Sequence, residues 1–149
     1  MNEKMNRHYS DIDIGDRVCF TRRFSDEIFH DFSRLSGDGT SLSPMPGGTP
    51  PFQRYTMPVP LTSLPLSAIA GMMLPGHRSF DVNYHIHAVH PAFHDQEITY
   101  SARVIRKDDL SRTITLRTIA FHRTRIFLTA QQSFQVMEKL PGTSAPDPD

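Results

Sequence analysis

The sequence has no tryptophan, one cysteine and no surplus of either charge. Its 16 Lys and Arg are matched by 16 Asp and Glu. That balance removes the general electrostatic reason to expect nucleic acid or an anionic membrane as partner. Cys19 alone excludes an internal disulfide framework and fits a reducing compartment. No apolar run approaches the ~20 residues that span a bilayer. Met1 to Ser10 is polar and lacks the apolar stretch of a secretory signal. The expectation is a soluble, cytoplasmic protein, and 149 residues suit a single domain with one core.

What is present divides the chain into three parts: a flexible arm over 1–13, one domain over 14–140, and a Pro-rich, polar, disordered tail over 141–149. In the domain, apolar residues at 14, 18, 20 and 24 predict a first strand. Ser25 then reads as an N-cap, with Asp26 and Glu27 in the first turn, where negative charge suits the helix dipole. Ile28, Phe29, Phe32 and Leu35 form one helical face, and Gly37 ends it. Seven prolines between Pro44 and Pro65, with Gly47-Gly48 among them, predict a long irregular loop.

Leu61 to Leu74 predicts a helix capped by Thr62 or Ser63, with Pro65 tolerated in its first turn. It is apolar nearly all round and so is expected to be buried. Beyond Pro75-Gly76 the pattern alternates, predicting strands over 80–89, 98–104, 113–121 and 126–137. Val82, Tyr84, Ile86 and Ala88 fall on one face of the first of these. Asp108-Asp109 and residues 122–125 are expected turns. An α+β domain follows, in which an antiparallel sheet wraps around a central buried helix.

Three local patterns carry a family resemblance. Ser36-Gly37-Asp38 follows a short capped helix. Leu66-Ser67-Ala68-Ile69-Ala70-Gly71-Met72-Met73-Leu74-Pro75-Gly76 is a central helix with a Leu-Pro-Gly exit. Val89-His90-Pro91-Ala92-Phe93-His94-Asp95 is a turn between strands. In this order and spacing the chain resembles the MaoC-like, (R)-specific enoyl-CoA hydratases of the hot-dog fold. The resemblance implies a fatty or polyketide acyl thioester substrate, on CoA or an acyl carrier protein. It implies hydration of a trans-2-enoyl thioester, or dehydration of the 3-hydroxyacyl form, without metal or other cofactor.

Carried over by residue, Asp38 matches the family's catalytic aspartate, Thr40 stands where the family has Asn, and Ser43 stands where it has His. The family chemistry is general acid–base catalysis on a held water. It also uses a helix N-terminal N–H as an oxyanion donor, which falls here at Thr62, Ser63 and Leu64. Met72 and Met73, with their flexible thioethers, suit an acyl tunnel. A serine hydroxyl does not titrate near neutral pH, so Ser43 cannot act as the histidine does; it can orient a water.

Three readings stay open. Asp38 works with another histidine, His85 or His87 or one from a partner subunit. Alternatively the chain is a non-catalytic subunit that stabilises an active hot-dog partner, or it binds acyl thioesters without turnover. A homodimer or heterodimer with a related chain is expected, because exposed strand edges need cover. A hot-dog thioesterase is the enzyme rival, and the absence of Asp and Glu from 64–74 counts against it.

Each of these residues also has a plainer role. Asp38 can be a turn residue after Gly37. Met72 and Met73 can be core. His85 and His87 share a strand face and can chelate, but no third ligand is visible, so no metal is expected. The arginines at 103, 106, 112, 117, 123 and 125, with Lys107, form a solvated face or meet a CoA phosphate or an acidic carrier.

Overall fold

The computed structural model describes residues 7–38, 56–76, 79–93 and 95–137. A 3-10 turn (Tyr9–Asp11) leads to β1 (Arg17–Arg23) and α1 (Asp26–Ser36). The short β2 (Thr56–Met57), α2 (Val59–Ser63), α3 (Pro65–Ala68) and a π-helical turn (Ile69–Met73) follow. Then come β3 (Ser79–Ala88), the short β4 (Ala92–Phe93), β5 (Glu97–Asp108), β6 (Thr113–His122) and β7 (Arg125–Val136). The five long strands form one antiparallel sheet in the order β1-β5-β6-β7-β3, and β2 pairs with β4.

β1 starts at Arg17 rather than Ile14, because Gly15 turns the chain at φ 102 and donates its N–H to Val104 O at 2.9 Å. Within the expected arm, residues from Arg7 onward are docked on the sheet. Tyr9 and Ile12 are buried, Lys107 Nζ donates to both of their carbonyls, and the Tyr9 hydroxyl donates to Asp109 at 2.8 Å. The tail over 141–149 lies outside the described residues.

α1 has the predicted ends. Ser25 Oγ accepts from the Ile28 N–H, and Gly37 closes the helix in the left-handed region at φ 73. Its apolar face is only half used. Phe29 is buried and Ile28 and Phe32 pack on the core, but Leu35 is 83% exposed.

The central helix begins at Val59, earlier than the pattern suggests. Pro58 is its N-cap and Pro60 lies in its first turn, where a missing N–H costs nothing. Thr62 and Ser63 therefore lie inside the helix instead of capping it. Pro65 has no N–H to give Leu61 O, so Leu64 N–H takes that carbonyl at 3.2 Å and the helix tightens there. One side, with Leu61, Leu66, Ile69 and Ala70, is buried against the sheet. The other is not: Leu64 is 53% exposed and Met72 43%, and Ser67 and Ala68 are exposed between them. Within the single chain, the expectation of burial all round fails along this stripe.

The sheet's inward face supplies the rest of the core, with Ile98, Tyr100, Ala102, Leu116, Phe127 and Phe134. Tyr100 stacks on Phe20 with ring centroids 5.4 Å apart. β3 departs from the expected alternation because Val82 is an extra residue between Asp81 and Asn83 in the register with β7. Tyr84, Ile86 and Ala88 share the inward face as predicted, but Val82 does not join them. On the outward face the register aligns Arg17 with Arg103 and Arg103 with Arg117, then Gln131 and His85. Asp108 accepts the N–H groups of Leu110 and Ser111 in the β5–β6 turn; these bonds, led by that of the Ser111 side chain, hold its carboxyl below the usual carboxylate range.

Candidate functional site

Asp38 sits directly after α1 and is half-buried. Its backbone is held at both polar atoms. The Ser33 hydroxyl donates to Asp38 O at 2.7 Å, and Asp38 N–H donates to Ser36 Oγ at 3.1 Å. With Gly37 in the left-handed region, the two serines give this residue one defined exit from the helix. Thr40 and Ser43 lie outside the described residues.

Two of the expected oxyanion donors are already spent. Thr62 N–H donates to Pro58 O at 3.0 Å and Leu64 N–H to Leu61 O, so both are already engaged within the helix. The hydroxyls turn back as well, Thr62 to Pro58 O at 3.2 Å and Ser63 to Pro60 O at 2.9 Å. The helix's first N–H groups belong to Val59 and Leu61, which the sequence reading did not single out.

A cavity of about 290 Å³ lies between β1, α1 and the central helix. β1 contributes Phe20 and Arg22, Phe24 follows it, and Ile28 comes from the first turn of α1. The exposed stripe of the central helix forms the far wall through Leu64 and Ala68, with Met73 at its end. Of the two methionines whose thioethers suit an acyl tunnel, Met73 lines this cavity and Met72 does not; Leu64, expected at the substrate, lines it too. Arg22 was missed. The period-two reading counted the apolar residues at 18, 20 and 24 and passed over the charged one in the same row.

A smaller hollow of about 120 Å³ opens on the other side of the helix, where Ser67 and Gly71 face Ser79, Asp81 and Phe134. Asp81 therefore places a carboxylate beside a helix that has none of its own. Burial, and then the Asp81 charge, push the Tyr84 hydroxyl up to about 12. Burial raises Tyr100 further still, while the charge of Arg22 pulls it the other way.

Among the described residues, four histidines of the sheet and its turns are held elsewhere. His85 and His87 pair with Gln131 and Thr129, on the sheet face that points away from the central helix. His90 and His122 have their Nδ1 atoms 2.8 and 2.7 Å from the carbonyls of Ile126 and Glu97. Among the described residues no three His, Cys, Asp or Glu side chains are grouped to hold a metal, and no helix is long and apolar enough to cross a membrane.

No protein-family model matches the sequence, and no curated protein does. Solved structures do match the fold. The (R)-hydratase from A. caviae involved in PHA biosynthesis superposes with a TM-score of 0.78 at 22% identity, covering 85% of this chain and 98% of that one. The R-hydratase PhaJ1 from Pseudomonas aeruginosa gives 0.77 at 17% identity, covering 88% and 86%. The MaoC-like dehydratase from Rhodospirillum rubrum gives 0.68 at 12% identity, covering 88% and 97%. At these identities the likeness is one of architecture: the chain has the hot-dog fold, in the form shared by the (R)-hydratases and the MaoC-like dehydratases.

Proposed function

We propose that this chain is a MaoC-like protein that acts on 3-hydroxyacyl and trans-2-enoyl thioesters of fatty-acid or polyketide type, with Asp38 as its acid–base group. The observation that carries the reading is the placement of Asp38. It leaves α1 through Gly37 with its backbone held by Ser33 and Ser36, in a chain with the fold of (R)-hydratases. A carboxylate positioned in this way can take the proton of a water attacking the β carbon, while a second group protonates the α carbon. The thioester is carried by CoA or by an acyl carrier protein.

Assembly is part of the proposal. β3 is an edge strand with Phe80, Val82 and Tyr84 exposed along it. An unpaired edge of ten residues that exposes three large apolar side chains invites a partner strand. We infer a dimer through β3, with a second copy or with a related hot-dog chain.

Two observations favour a second reading, a non-catalytic subunit that stabilises an active partner. Ser43 replaces the family's histidine, and His85 and His87 point away from the central helix. The test is hydration of crotonyl-CoA and a longer trans-2-enoyl-CoA, followed at the enoyl absorbance. Turnover that falls by about 10²–10⁴ in Asp38→Asn supports the enzyme. Absence of turnover from folded protein on every chain length, with co-purification of an intact hot-dog chain, supports the subunit.

A further inference from the structure

Arg22 occupies an unusual place for an arginine. It belongs to the inward row of β1, after Val18 and Phe20 and before the buried Phe24, and its cross-strand neighbour Ile98 is fully buried. Arg22, itself exposed, lines the 290 Å³ cavity together with apolar residues from three elements. The next residue, Arg23, faces the other way and pairs with Asp95 at 2.9 Å. Among the described residues no carboxylate lies within ion-pair distance of Arg22.

We propose that this cavity is a binding site for a short aliphatic chain that ends in a carboxylate. The chain lies along Phe24, Leu64, Ala68 and Met73, and the carboxylate rests on Arg22. A guanidinium presents parallel N–H groups that match a carboxylate, and charge-assisted hydrogen bonds of this kind are about twice as strong as neutral ones. The volume is near the lower end for ligand pockets of roughly 300–1,000 Å³, which limits the guest to a short chain. This inference rests on the thioester reading in one respect only: if the guest is an acyl group, its free end bears the second carboxylate of a dicarboxylic acid.

A competing role for an inward charge on an edge strand is to discourage strand pairing. The two roles separate in one experiment that reads binding without turnover, so an inactive Asp38 site does not enter the result. Sodium hexanoate and 1-hexanol are titrated into the full chain carrying ¹³C-methyl methionine, with Met73 as the reporter on the cavity wall. The expected result is that both move the Met73 methyl signal and that hexanoate binds at least about tenfold more tightly. Arg22→Gln brings the two within about threefold of each other, and Arg22→Lys keeps part of the preference because the charge remains. Equal affinities in the unaltered protein would overturn the proposal. So would a preference that survives Arg22→Gln, a Met73 signal that neither compound moves, or an Arg22→Gln variant whose only change is greater self-association.

Discussion

The Tyr100 hydroxyl donates to the Thr62 carbonyl at 2.6 Å, a buried bond that ties the middle of β5 to the central helix. It anchors the helix to the sheet beside the stacked Phe20 and Tyr100 rings, of which Phe20 also lines the cavity. Tyr100→Phe keeps the ring and removes the donor. The expected loss is about 1 kcal/mol of unfolding free energy, read from urea denaturation with an unchanged m-value.

The three outward arginines form a cross-strand row with strand spacings of about 4.8 Å. Like charges directly opposite each other destabilise a sheet. Arg117→Thr is expected to raise stability by roughly 0.5 kcal/mol at low ionic strength. The gain shrinks in about 1 M salt, where the Debye length falls to about 3 Å. Thermal melts of both proteins at two salt concentrations check the sign.

Tyr9 gives the chain an alkaline limit. Burial first, then its hydrogen bond to Asp109, push its hydroxyl from 10.0 up to about 12. Below pH 10 the hydroxyl keeps its proton whether the chain is folded or unfolded, and this contribution to stability is complete. Between 10 and about 12 only the unfolded chain gives up its proton, so stability falls as pH rises. Tyr84 behaves in the same way. Urea midpoints from pH 8 to 12 are expected to decline, and Tyr9→Phe makes the decline shallower.

The proposed pairing through β3 is open to a direct test. Val82 is the bulged, exposed residue in the middle of the edge. Val82→Lys puts a charge where a partner strand would lie, and sedimentation velocity is expected to show a dimer become a monomer. An unaltered protein that sediments as a monomer at every concentration would end this part of the proposal.

The sequence carried the local signals well. Ser25 and Gly37 mark the ends of α1 because caps are properties of single residues. The four strands after Pro75 were legible because period-two alternation survives averaging. What failed depends on context. Pro58 and Pro60 look like loop residues in a proline-rich stretch, yet at a helix start their missing N–H groups are harmless. Leu35 completes the apolar face of α1 yet stays exposed, and the bulge at Val82 resets parity in a way no pattern announces. Asp38 was named from its motif, whereas Arg22 and Asp81 emerged only when the chain brought distant walls together. The likeness to a family pointed to the right architecture, but it said nothing about a charge that belongs to this chain.

The π-helical turn over Ile69–Met73 has a genetic reading. Its Leu74 N–H reaches back five residues to Ile69 O at 2.8 Å, so the turn holds one residue more than an α-helical turn would. One surplus residue is an angular offset of about 100° for everything after it. That offset brings Met73 to the cavity and leaves Met72 outside. A single codon lost from this stretch would close the turn and move the exit loop round by the same angle. The shape of the cavity is thus set partly by how many residues the turn contains, and an in-frame deletion reaches it by a route different from any substitution of its lining.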